Sequence, residues 1–132
     1  MKLHESGENY LEAILVLEKE KGSVRSIDVA NHMDFTKASV SRAVSILKEA
    51  GYLAVESDGG LKLTEEGREK ARQVYEKHCL IARFFVEALE VEPEVAEQDA
   101  CRIEHVISEQ TFEQMKLWLE TAESFARLDA EV

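Results

Sequence analysis

The sequence predicts a mainly α-helical fold, in which a short two-stranded hairpin separates three N-terminal helices from three C-terminal ones. Apolar residues recur at the three- and four-residue spacing of helices through most of the 132 residues. In segment 52–67, apolar residues instead alternate with others on both sides of a Ser-Asp-Gly-Gly centre. This pattern indicates paired strands, because glycine accepts the positive φ of a tight turn.

The first two helices are predicted over residues 8–22 and 26–33. The first carries apolar residues at helical spacing and meets a stop signal at Gly22. The second opens with Ser26 as the candidate N-cap and has Asp28 in its first turn, where a carboxylate is favourable.

A third helix is predicted over residues 36–51, with Thr36 as its candidate cap. Only Asp34 and Phe35 separate it from the second helix. Three short helices followed by a hairpin are typical of a winged helix-turn-helix, and a turn this short suits that motif.

Three more helices follow the hairpin. Thr64 is the candidate cap of a long helix that reaches about Leu89. The only proline, Pro93, suits the first turn of the next helix, which we predict to run to about Ile107. The last helix is predicted over residues 108–122.

The charge distribution is uneven. The net charge of −11 argues against a simple polyanion-binding protein. Residues 1–72, however, carry 11 basic and 13 acidic residues, whereas residues 73–132 carry 5 and 14. No segment resembles a signal peptide or an apolar run of about 18 residues, so we expect a cytoplasmic protein with no membrane partner.

The third helix is the candidate DNA reader, because in this motif its N-terminal residues meet bases and phosphates in the major groove. The alternative is an ordinary solvated helix face. With so little positive charge one copy should bind weakly, so we expect a homodimer on palindromic double-stranded DNA. The candidate DNA-binding residues, the last of them on the returning strand, are Thr36, Lys37, Ser39, Ser41, Arg42 and Lys62.

Segment 99–108, DACRIEHVIS, carries a second constellation. On a helix, Cys101, Glu104 and His105 share one face, because positions i, i+3 and i+4 are neighbours. Sulfur, carboxylate oxygen and imidazole together suit a borderline transition-metal ion. The alternatives are a small buried thiol at position 101 and a surface pair formed by Glu104 and His105.

Further ligands would have to come from elsewhere in the chain. His78 lies on or beside the apolar face of the long helix, and a buried imidazole needs a partner that a metal ion would provide. Asn9 and Glu12 are one turn apart on the first helix and could face the same place.

Several segments match a known family in order and spacing: ENYLEAI at 8–14, ASVSRAVSILKEAGYL at 38–53, LTEEG at 63–67, KH at 77–78 and ACRIEHVIS at 100–108. On these segments the chain resembles the iron- and manganese-dependent repressors of bacteria, the diphtheria-toxin-repressor and manganese-transport-regulator family. The resemblance implies a DNA-binding domain over 1–70 and a helical metal-binding and dimerisation domain over 71–132. The chain ends near the last dimerisation helix, so we expect the short two-domain form.

The resemblance also implies a ligand set. Asn9 departs from the methionine or aspartate usual at its position, and Glu97 and Ala82 replace the histidine and glutamate of the iron branch's ancillary site. Because the set includes a thiolate, we expect Fe²⁺ as the cofactor, with Mn²⁺ second. The implied metal ligands are Asn9, Glu12, His78, Cys101, Glu104 and His105.

The sequence therefore predicts a metal-activated transcriptional repressor that controls metal-ion homeostasis. One alternative is a metal-independent winged-helix regulator that senses a small molecule or redox state. An enzyme with a small-molecule substrate is not expected, because the chain has no Gly-rich phosphate loop and no nucleophile elbow.

Overall fold

The computed structural model describes the backbone of residues 5–131 and the side chains of residues 6–123. The predicted mainly α-helical class and the predicted order of elements are confirmed. The chain divides into two compact units whose boundary lies between Val74 and Tyr75. The elements are α1 (Glu5–Lys21), α2 (Ser26–Met33), α3 (Lys37–Glu49), β1 (Leu53–Val55), β2 (Leu61–Leu63), α4 (Glu65–Leu89), α5 (Pro93–Ile103) and α6 (Glu109–Glu131).

The N-terminal unit packs α1, α2, α3 and the hairpin around one apolar core. β1 and β2 pair antiparallel, with Leu53 opposite Leu63. The N–H of Leu61 also donates to the carbonyl of Val24 at 2.8 Å, which attaches the segment before α2 to the wing. This arrangement is the predicted winged helix-turn-helix. Its most deeply buried large side chains are Leu11, Ile14, Val24, Val29, Val40 and Leu47.

The two helix starts of the helix-turn-helix differ in how they are capped. The hydroxyl of Thr36 accepts the Ser39 N–H at 3.1 Å, so the predicted cap of α3 is confirmed. The prediction of Ser26 as the cap of α2 is wrong by one residue. Arg25 occupies that position, because the Asp28 carboxylate accepts the Arg25 N–H at 2.9 Å.

The junction between the wing and α4 depends on Thr64 and Gly67. The Thr64 hydroxyl accepts the Gly67 N–H at 3.1 Å and donates to the Gly51 carbonyl at 2.6 Å, which confirms Thr64 as the cap. A Cβ atom at Gly67 would lie 1.9 Å from the Tyr52 carbonyl oxygen. Only glycine therefore allows α4 to start against the end of the hairpin.

The C-terminal unit packs α4 and α5 around Ile81, Phe85 and small alanines, with part of α6 against the same cluster. Pro93 is at the start of α5, as predicted. None of the helices within the described residues is long and apolar enough to cross a membrane.

Two predicted helix ends are wrong: α6 extends to Glu131 rather than to residue 122, and α5 ends early. The helix ends at Ile103 rather than near Ile107, and both the Val106 and Ile107 N–H groups donate to the Ile103 carbonyl at 2.9 Å. The chain turns here because Ile107 packs on the core and Ser108 caps α6, its hydroxyl accepting the Thr111 N–H at 3.2 Å.

Candidate metal centre and DNA-facing surface

The candidate metal centre in the C-terminal unit is built around His78. The side chain of His78 is 11% exposed, and that of Glu104 is completely buried. Nδ1 of His78 lies 2.7 Å from Oε2 of Glu104. On the other side of the ring, Nε2 lies 2.5 Å from Oε2 of Glu97, whose side chain remains 62% exposed. One imidazole is therefore held between two carboxylates of α5 and its C-terminal turn.

This geometry favours the charged form of the ring. A carboxylate only accepts hydrogen bonds, so both nitrogens of His78 must donate to satisfy both contacts. The hydrogen bond with Glu104 raises the pKa of His78 to about 9, burial acts in the opposite direction, and the hydrogen bond with Glu97 adds to the rise. The imidazolium thus supplies the positive charge that the buried Glu104 carboxylate needs.

The second carboxylate oxygen of Glu104 is the observation that best fits a metal ion. Oε1 of Glu104 is buried and lies 3.2 Å from Nε2 of His105, yet it receives no hydrogen bond from any described residue. A buried acceptor left in this state costs stability unless a cation or donor reaches it. Imidazole and carboxylate are ligands of first-row transition metals, so the residues present fit a divalent ion.

His105 and Cys101 differ in their placement. The His105 side chain is only 1% exposed, so the alternative of a surface pair with Glu104 is wrong. Cys101 is exposed on α5, so the alternative of a buried thiol is also wrong. Both cysteines are described, and neither forms a disulfide. Because α5 ends at Ile103, His105 lies in the turn that follows the helix.

Asn9 and Glu12 lie one turn apart in α1, within the N-terminal unit, and both side chains are partly buried. Their place in the ligand set stays a prediction, as does that of Cys101.

Glu97 is the residue that the sequence analysis did not identify as functional. It was noted only as a departure from a histidine position, whereas the structure shows it bonded to His78. A signal was available: Glu97 and Glu104 are seven residues apart, which places them two turns apart on one helical face.

The candidate DNA-facing side chains surround the start of α3 and the wing. Thr36 and Ser39 are exposed, but their hydroxyls bond to each other at 2.9 Å. Lys62 on β2 lies 3.8 Å from the Glu56 carboxylate, an exposed pair of small energetic value. The other predicted DNA-binding residues, Lys37, Ser41 and Arg42, are exposed on α3.

Arg25 is a further exposed cation beside this surface that sequence reasoning missed. Its guanidinium lies against the wing loop, where a Cβ atom at Gly59 would meet Nη1 at 3.1 Å. The signal in the sequence is a lone cation immediately before α2.

Two family models match successive parts of the chain. Residues 2–61 match the model described as "Iron dependent repressor, N-terminal DNA binding domain". Residues 64–124 match "Iron dependent repressor, metal binding and dimerisation domain".

Three relatives illustrate the similarity. An uncharacterized HTH-type transcriptional regulator of Methanocaldococcus jannaschii is 31% identical over 89% of this chain and 95% of its own length. The transcriptional regulator MntR of Escherichia coli is 31% identical over 84% of this chain and 71% of its own. The iron-dependent repressor IdeR of Mycobacterium tuberculosis is 37% identical over 82% of this chain, which spans only 47% of IdeR. These relatives are transcriptional regulators rather than enzymes.

Solved structures confirm the fold. The manganese regulator SloR superposes with a TM-score of 0.76 and 25% identity, over 91% of this chain and 55% of SloR. The IdeR of T. acidophilum gives a TM-score of 0.78 at 21% identity, over 91% of this chain and 55% of its own.

Proposed function

The chain belongs to the family of iron- and manganese-dependent transcriptional repressors, and on that premise we propose that it binds palindromic operator DNA as a homodimer when loaded with Fe²⁺. Mn²⁺ is the second choice. We place this function in the cytoplasm, where a DNA-binding regulator would act.

The buried carboxylate of Glu104 is the single observation that carries the proposal. It has no exposed surface, one oxygen faces His78, and the other receives no hydrogen bond from a described residue. In the metal-free protein the His78 imidazolium offsets part of the cost of burying this charge. A divalent ion would offset it more completely, because it can bind a carboxylate oxygen and an imidazole nitrogen together.

The ligands that we propose are distant from one another in the sequence. The ion, when bound, would supply the positive charge that otherwise only a proton provides. Ligands contributed by residues distant in the sequence make ion binding dependent on the folded chain. We expect the bound ion to raise DNA affinity ~5- to 150-fold, which corresponds to a coupling free energy between the two sites of ~1–3 kcal/mol. The proposed set is Asn9, Glu12, His78, Cys101, Glu104 and His105.

The preference for Fe²⁺ rests on Cys101. A thiolate is a soft ligand that favours Fe²⁺ over Mn²⁺, whereas the carboxylates of the set suit both ions.

The homodimer is supported by the C-terminal unit, where Leu117 and Trp118 of α6 are 51% and 42% exposed. Apolar side chains exposed side by side on one helix suit contact with a second copy.

A redox-sensing regulator is the second candidate function, and the exposure of Cys101 favours it. An exposed thiol is accessible to oxidants, and its oxidation would change how the surrounding helices pack. In this alternative, chelation leaves operator affinity unchanged.

An anaerobic gel shift against the gene's own upstream DNA distinguishes the two functions. We expect binding with Fe²⁺ or Mn²⁺ and a loss of ~5- to 150-fold with chelator. His78→Ala should abolish the metal response, whereas the matched variant His32→Ala, at an exposed histidine of α2, should retain it. Operator affinity that does not respond to chelation would contradict the proposal.

A further inference from the structure

Glu97 contacts His78 but is not one of the proposed metal ligands. The role that we infer for it rests on the proposed metal-dependent function. We propose that Glu97 is a positioning residue. It accepts the Nε2–H of His78 and so directs Nδ1 of the same ring toward the metal ion.

The two nitrogens of the His78 ring have different surroundings. Nδ1 faces Oε2 of Glu104 at 2.7 Å, and the Glu104 side chain is completely buried. Nε2 faces Oε2 of Glu97 at 2.5 Å, and the Glu97 side chain is 62% exposed. His78 and Glu104 would therefore hold an ion through Nδ1 and a Glu104 carboxylate oxygen, and Oε1 of that carboxylate receives no hydrogen bond from any described residue.

A neutral His78 ring that would hold the ion through Nδ1 must carry its one proton on Nε2. The Glu97 carboxylate enforces that tautomer because it can accept a hydrogen bond but cannot donate one.

A carboxylate that holds the outer N–H of a ligating histidine both orients the ring and makes the inner nitrogen more basic. Loss of such a partner typically weakens metal affinity about 10- to 100-fold. Glu97 therefore differs in role from the histidine that the iron branch has at this position. Glu97 acts through His78 rather than by touching the ion.

The test uses the full chain and Zn²⁺, which is diamagnetic and can be followed by ¹⁵N NMR of the histidine rings. With Zn²⁺ bound, we expect the His78 Nε2 signal to show a directly bonded proton and the Nδ1 signal to move. Competition with a chromophoric chelator should show affinity about 10- to 100-fold lower in Glu97→Ala. Glu97→Gln should also weaken binding, because an amide can donate as well as accept and no longer selects one tautomer.

Glu94→Gln is the matched control, since it makes the same charge change at an exposed position one turn earlier on α5. It should leave both affinity and tautomer unchanged. The inference is overturned if the wild-type protein binds Zn²⁺ through Nε2, or if Glu97→Ala leaves affinity unchanged. If the wild-type protein binds no Zn²⁺, Fe²⁺ or Mn²⁺ at all, the proposed function fails first. The wild-type spectrum decides the tautomer even if a Glu97 variant does not fold.

Discussion

Nδ1 of His78 lies 2.7 Å from Oε2 of Glu104, a carboxylate without exposed surface. We expect this pair to make the stability of the protein depend on pH. The charged ring is favoured in the folded protein because its partners are carboxylates. An unfolded chain offers no such partners, so the two states bind protons differently.

The metal-free protein should lose stability as the pH rises from about 6.5 to about 9. The pKa of His78 is raised from 6.5 to about 9 in the folded protein, chiefly by Glu104. A group whose pKa is raised by folding stabilises the folded protein fully at a pH below its unfolded-state pKa. This contribution is lost as the pH rises through its folded-state pKa. The contribution is at most ~3 kcal/mol. Urea unfolding in chelator at several pH values measures it.

His78→Gln should remove this pH dependence, whereas His32→Gln should keep it. Metal affinity should change in the opposite direction and rise with pH over the same range, because the ion displaces a proton from His78. A stability curve that is flat between pH 6.5 and 9 in the wild-type protein would exclude a charged His78.

Substitution of Cys101 tests the choice of ion. If its thiolate binds the metal, Cys101→Ser should weaken Fe²⁺ binding by about tenfold or more, equivalent to ~1.4 kcal/mol, and Mn²⁺ binding by less. The difference arises because a hydroxyl oxygen is a harder ligand than sulfur. Anaerobic titration of both ions measures it. Cys79→Ser, at another exposed cysteine, is the control. Equal loss for both ions would argue against a thiolate preference for iron.

DNA binding should depend on the N-terminal part of α3. Arg42→Ala and Lys37→Ala should each weaken operator binding and lower the slope of log affinity against log salt by about 1 if the side chain contacts a phosphate. Gel shifts at several salt concentrations give the slope. Lys48→Ala removes an exposed cation from the last turn of the same helix and should have a smaller effect. If all three variants behaved alike, nonspecific charge rather than the start of α3 would explain binding.

Gly67→Ala should destabilise the N-terminal unit by roughly 2–4 kcal/mol. The added methyl group would lie 1.9 Å from the Tyr52 carbonyl oxygen, so the backbone must move. Gly60→Ala is the control, because its Cβ atom would meet only flexible side chains, Oδ1 of Asp58 at 3.1 Å and Oε1 of Glu56 at 3.8 Å. Thermal unfolding of the two variants compares them directly. Equal melting temperatures would show that the start of α4 tolerates a side chain.

Local signals in the sequence determined most of the fold. Thr36 and Thr64 were identified as caps because a hydroxyl followed by a helical apolar pattern is a short-range feature. The hairpin followed from its glycines. The ligand set came from motifs that resemble a known family, and the structure joins His78 and Glu104 within it.

Only the tertiary structure decided the end of α5 and the role of Glu97. The periodicity of the sequence continues to Ile107, but the Ser108 cap and the packing of Ile107 compete with the helix and end it at Ile103. The pairing of Glu97 with His78 joins residues nineteen positions apart. The spacing of Glu97 and Glu104 indicates only that both lie on one face of α5, whereas their contact with His78 depends on how two helices pack.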